Sequence, residues 1–228
     1  MRRLTHFRIL GILILLLAFY SCDRSSEGSR KAGEHINNTV TARNETQQVN
    51  QKKNEDAADD PAIWIHPENP EKSIIFGTDK KGGLASYNLD GEELHYFHVG
   101  NMNNCDLRYN IKLNGDLIDV LAASNRTRHS LSLYGIRENG MLDSIHSRII
   151  PSQMKDEVYG LCMYKSPASG KTYVFMNSKA GEVEQWELFD VQNRMDACLV
   201  RSFSVGTQTE GMVADDENRI LYLGHEFA

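Results

Sequence analysis

The chain has 228 residues, and no long stretch of it carries a helical hydrophobic period. It also lacks a Gly-x-Ser-x-Gly elbow and a P-loop, so neither an acyl-transfer serine nor a nucleotide cradle is indicated. Basic tracts are missing, and the net charge is −6. Both facts argue against a nucleic-acid partner. The four cysteines, Cys22, Cys105, Cys162 and Cys198, fit no metal spacing and no disulfide framework. The 40% hydrophobic content is ordinary for a globular protein with a sizeable core.

What is present begins with a leader. Arg2, Arg3 and Arg8 precede an apolar run from Ile9 to Tyr20, followed by Ser21 and Cys22. The run is too short to span a membrane comfortably and has the layout of a signal peptide, residues 1–22. A cysteine directly after a small residue suggests lipidation at Cys22, with simple secretion as the alternative. The domain would then be exported, as a cell-surface or periplasmic lipoprotein or a secreted protein. Its only membrane contact would be the anchor. Residues 23–55 are rich in Ser, Asn, Gln, Lys and Glu and read as a disordered linker.

From residue 56 onward, short apolar runs alternate with turn signals such as Leu89-Asp90-Gly91, Asn114-Gly115 and Asn139-Gly140. Two-residue alternation, as in Val183-Glu184-Gln185-Trp186, points to antiparallel strands joined by hairpins. One unit recurs: an apolar strand, a polar pair, then a charge. It appears as Ile75-Phe76-Gly77-Thr78-Asp79-Lys80, Leu121-Ala122-Ala123-Ser124-Asn125-Arg126, Val174-Phe175-Met176-Asn177-Ser178-Lys179 and Leu221-Tyr222-Leu223-Gly224-His225-Glu226. The charged ends are 46, 53 and 47 residues apart. A second series, Asp60, Asp106, Glu157 and Glu210, steps by 46, 51 and 53 residues. Such a period is that of propeller blades, small sheets stacked around one axis. It predicts an all-β propeller in residues 56–228, of which about three to four blades are present, as expected of a portion of a longer protein.

Equivalent positions in successive blades surround one opening. The expected mouth therefore gathers Lys80, Arg126 and Lys179, with Lys81 adjacent, and the acids Asp60, Asp106, Glu157 and Glu210, with Asp59 and Glu226 close by. Crowded carboxylates attract hard divalent cations, above all Ca²⁺, through all-oxygen ligand sets. Histidine is missing from the repeat positions apart from His225, and there is no thiolate pattern, which argues against zinc. Lys and Arg beside such a metal suit phosphate, and a metal-activated water would serve as nucleophile. Asp215-Asp216-Glu217 reads as a solvated hairpin turn. Trp64, Trp186 and Tyr87 read as packing residues.

These stretches, together with Asp59-Asp60-Pro61-Ala62-Ile63-Trp64, Asn104-Cys105-Asp106-Leu107-Arg108-Tyr109, Glu157-Val158-Tyr159-Gly160 and Gln208-Thr209-Glu210-Gly211-Met212, resemble the β-propeller phytases. The resemblance implies a six-bladed propeller that releases phosphate from phytate or other inositol phosphates with several Ca²⁺ ions, working as a monomer. It implies phosphate contacts from Lys80, Lys81, Arg126, Tyr159 and Lys179, and calcium ligands at Asp59, Asp60, Glu210 and Glu226, with Asp106 and Glu157 completing the acidic set. The chain departs from the family pattern at Ala180, where an acid is usual, at His225 and at Cys105. Two other classes of function stay open: a metal-dependent propeller lactonase or esterase, and a non-catalytic or degenerate polyanion-binding propeller.

Overall fold

A computed structural model describes residues 40–49 and 56–226. The signal peptide, Cys22 and most of the expected linker lie outside these residues. The chain divides into a unit Met1–Thr41 and a unit Ala42–Ala228. The second unit carries the fold.

Its sheets are antiparallel meanders. The first comprises β1 (Ala58–Trp64), β2 (Ile74–Asp79), β3 (Gly83–Tyr87) and β4 (Glu93–Phe97). The second comprises β5 (Met102–Leu113), β6 (Asp116–Asn125), β7 (Ser130–Ile136) and β8 (Leu142–Ser144), and the short β9 (Ile150–Pro151) returns to pair with β7. The third holds β10 (Val158–Lys165), β11 (Thr172–Ser178), β12 (Glu182–Val191) and β13 (Arg194–Ser204). β14 (Thr209–Asp215) and β15 (Ile220–His225) form a two-stranded sheet. The turn residues behave as their chemistry requires. Asn114 and Gly115, with φ of 56° and 85°, take the left-handed backbone that a tight hairpin between β5 and β6 demands.

First strands of successive sheets pack on one another, β1 on β5, β5 on β10 and β10 on β14. That is the arrangement of propeller blades around an inner wall. Middle blades are covered on both faces, so their strands read as unbroken apolar runs. On β6, Leu121 and Ala123 face the core shared with the first sheet, while Val120 and Ala122 face the core shared with the third. Burying side chains such as Leu121, Leu131 and Leu133 contributes about 1.5–3 kcal/mol each. Trp64, Tyr87 and Trp186 are buried, as their packing role predicts. Cys105, Cys162 and Cys198 are unpaired. Burial pushes the Cys162 thiol up to about 12, which makes it an inert packing group.

One part of the expected linker is not free chain. Gln47 donates its N–H to the Gly91 carbonyl (2.8 Å) and accepts from the Glu93 N–H (2.7 Å). Asn44 reaches the Leu89 carbonyl at 3.2 Å. Composition had marked this stretch as unable to bury apolar surface, which is correct. What holds it is hydrogen bonding to the β3–β4 turn, which apolar content does not report.

Candidate active site

The site is built by a defect that repeats. Each first strand carries a β-bulge at the same place, where two residues face one on the next strand. Asp59-Asp60 lie opposite Thr78, Asn103-Asn104 opposite Ser124, Tyr159-Gly160 opposite Asn177, and Glu210-Gly211 opposite Gly224. The bulge tilts side chains out of the pleat and leaves backbone groups without ladder partners.

Buried polar side chains satisfy those groups and tie blade to blade. Thr78 Oγ1 accepts from the Asp60 N–H (2.8 Å) and donates to the Asn103 carbonyl (2.6 Å) on the next blade. Ser124 Oγ accepts from the Asn104 N–H (3.0 Å) and donates to the Tyr159 carbonyl (2.7 Å). Asn177 Oδ1 accepts from the Gly160 N–H (2.7 Å), and its amide donates to the Glu210 carbonyl (3.5 Å). The bulges are so close that a Cβ on Gly160 would stand 1.9 Å from the Glu210 carbonyl oxygen. Glycine is required there by contact.

Two sets of side chains result. The first bulge residues are Asp59, Asn103, Tyr159 and Glu210. Beside them stand Lys80, Arg126, Lys179 and Glu226, each just past a strand end that pairs with the residue before a bulge: Asp79 with Ala58, Asn125 with Met102, Ser178 with Val158 and His225 with Thr209. The sets interlock. Lys80 Nζ lies 2.9 Å from Asp56 and 3.1 Å from Asp59. Arg126 grips Glu157 through Nε (2.7 Å) and Nη2 (2.5 Å), and its Nη1 donates to Asn103 Oδ1 (3.2 Å). Lys179 Nζ sits 2.9 Å from Glu157 and 5.3 Å from the centre of the Tyr159 ring. Asn103 donates to Glu210 Oε1 at 2.8 Å. Burial, with the neighbouring acids Glu210 and Glu226, raises the pKa of the Tyr159 hydroxyl.

The three cations therefore converge with Asp59, Tyr159, Glu210 and Glu226. Lys81 is exposed, its N–H donates to Asp79 (2.7 Å), and its charge acts on Asp56.

The acid series is corrected by the strand register. Asp60 is the second residue of its bulge and Glu210 the first. Asp106 lies beyond its bulge, paired with Ala122, and Glu157 precedes β10. The similar steps of 46, 51 and 53 residues hide these offsets, because loops of different length compensate for them. Asp106 turns into the blade packing, where it accepts from the Met163 N–H (2.8 Å) and Arg108 Nη1 (3.0 Å). Glu157 has both oxygens on Arg126 and one on Lys179. Asp215-Asp216-Glu217 does lead into the β14–β15 hairpin turn, as its composition suggests, but Asp216 is not simply solvated, since Arg108 Nε holds it at 2.8 Å.

Electrostatics mark the acids that remain. Burial raises Asp59, opposed by Lys80 and reinforced by the charge of Glu210. Burial pushes Asp60 up to about 6, against hydrogen bonds from Cys105 and Asn104. Carboxylates raised by burial and by one another are poised to accept a cation. Among the described residues no three His, Cys, Asp or Glu side chains already form a metal cage. The donor chemistry is nonetheless all oxygen, with Asp59, Glu210, Glu226 and Tyr159 connected, and that set suits a hard cation.

Sequence reasoning missed Asn103, although it links Arg126 to Glu210 and is fully buried. It also missed the stapling role of Thr78, Ser124 and Asn177. Their signal was the polar residue closing each otherwise apolar repeat strand.

The family model described as Phytase matches residues 7–228. The chain is 42% identical over 221 residues to a curated 3-phytase of Bacillus subtilis (strain 168), a match covering 95% of this chain and 56% of that protein. The chain thus spans a little over half the length of that relative.

Proposed function

The chain belongs to the phytase family, and on that premise we propose that its protein hydrolyses phosphate monoesters of phytate or a related inositol phosphate with the help of Ca²⁺. The observation that carries this reading is the meeting of Lys80, Arg126 and Lys179, from three blades, beside Asp59, Tyr159 and Glu210. Three cations exceed what a neutral ester or lactone needs, and they match the oxygens of a phosphoryl group.

In this reading Arg126, Lys179 and Lys80 bind and orient the phosphoryl group, with Lys81 at the rim. Tyr159 keeps its proton and can donate it to a phosphoryl oxygen. Asp59, Asp60, Glu210 and Glu226 would hold calcium. Bound there, the cation supplies charge stabilisation and a water of lowered pKa as nucleophile. Asp106 and Glu157 serve the framework and the cations respectively. Export rests on the leader of residues 1–22, with lipidation at Cys22 or plain secretion.

The test is phosphate release from phytate by the full-length protein, with calcium and with a chelator. Release with calcium and its loss with chelator is the expected result. No release under either condition would leave the mouth as a polyanion-binding surface.

A further inference from the structure

Each guanidinium nitrogen of Arg126 makes a hydrogen bond. Glu157 takes Nε and Nη2, and Asn103 takes Nη1. The same Glu157 carboxylate neutralises Lys179 at 2.9 Å. Two like charges from neighbouring blades are thus drawn to one point by a single anion, whose two oxygens present to the guanidinium the spread that two phosphoryl oxygens would. The Glu157 side chain is 37% exposed and sits on the segment just before β10, so it has room to swing away. A phosphate monoester carries a charge of about −1.5 to −2, against −1 for the carboxylate, and competes well for the same donors.

We propose that Glu157 is a resident counter-anion, which holds Arg126 and Lys179 together until a phosphoryl group displaces it and which thereby sets the affinity for phosphate. This rests on the phosphate-binding reading of the mouth and deepens it. Without Glu157 the two cations would repel one another, and an incoming phosphate would meet both with no anion to displace. With it they stay converged, and each binding event must exchange one anion for another. Glu157 is a positioning residue that acts through Arg126 and Lys179.

The experiment is calorimetric titration of the full chain with inorganic phosphate in the presence of chelator, so that calcium plays no part. Wild type is compared with Glu157→Gln and Glu157→Ala, with melting temperature read alongside. Removing the competing charge should tighten phosphate binding about tenfold. In phytate assays with calcium, KM should fall while kcat does not rise. A folded variant of either kind that binds phosphate no tighter than wild type overturns the proposal. If wild type also hydrolyses phytate, that result overturns it alone. If no protein binds phosphate and wild type releases none from phytate, the phytase reading falls with it.

Discussion

Arg126 and Arg108 belong to the same blade and are similarly covered, with side chains 20% and 17% exposed. Yet they belong to different regions with different purposes. Arg108 lies along the inner wall. It bonds the Met163 and Ala214 carbonyls, Asp106 and Asp216, so it ties together β5, β10 and β14. Arg126 stands at the mouth, where its partners are the side chains of Glu157 and Asn103. The lesson is that burial alone does not separate an arginine that pins the framework from one proposed to bind phosphate. The backbone carbonyls of Met163 and Ala214 cannot leave Arg108, whereas every partner of the Arg126 guanidinium is a side chain and so, on the proposed reading, displaceable.

Four experiments would sharpen or break this contrast, and the largest effect belongs to the inner wall. Arg108→Ala leaves Asp106 and Asp216 without their cation and should cost about 3–4 kcal/mol in denaturant unfolding. A loss below about 1 kcal/mol would make Arg108 an ordinary surface ion pair. Arg126→Ala should do the reverse: unfolding changes by less than about 1 kcal/mol, while kcat/KM for phytate falls roughly a hundredfold, about 2.7 kcal/mol of transition-state stabilisation. Large destabilisation with turnover intact would erase the distinction.

Ser124→Ala lies between the two regions. It strands the Asn104 N–H and the Tyr159 carbonyl and should cost about 2 kcal/mol, with a drop in kcat as the bulges drift. Stability falling with kcat unchanged would show that the staples do not position the mouth.

The smallest effect is an acid limb. The Arg126 hydrogen bond, aided by Lys179, lowers Glu157 from 4.5 to about 2. A carboxylate depressed in the folded state adds stability above its unfolded value and loses it as the pH falls, here between about 4.5 and 2. Asp106 has the opposite sign, because burial raises it and folding favours its protonated form. Glu157→Gln should therefore flatten melting temperature against pH in this window, by less than about 1 kcal/mol given its exposure. Asp106→Asn should not flatten it. Equal flattening by both would contradict the contrast.

Much of this was legible in the chain. The cation spacing of Lys80, Arg126 and Lys179 survived contact with the structure because each follows a strand end locked in the same ladder register. The acid spacing did not, because a bulge or a loop shifts register by a residue without leaving a mark in the count. Asn103 was invisible for a related reason: an asparagine in the polar run Asn101-Met102-Asn103-Asn104 looks like a turn residue until Thr78 and Glu210, from other blades, are known to meet it. Asp216 looked solvated because its partner, Arg108, lies in a distant strand.

The sequence alone determined the all-β character, the blade period, the cation series and the kinship of the chain, since these depend on local alternation and on residues a fixed distance apart. Tertiary structure decided which acids face the mouth, which pin the wall, and that Glu157 stands between two cations. Those outcomes depend on contacts between residues up to about a hundred positions apart, and only the packing of one blade on the next brings such residues together.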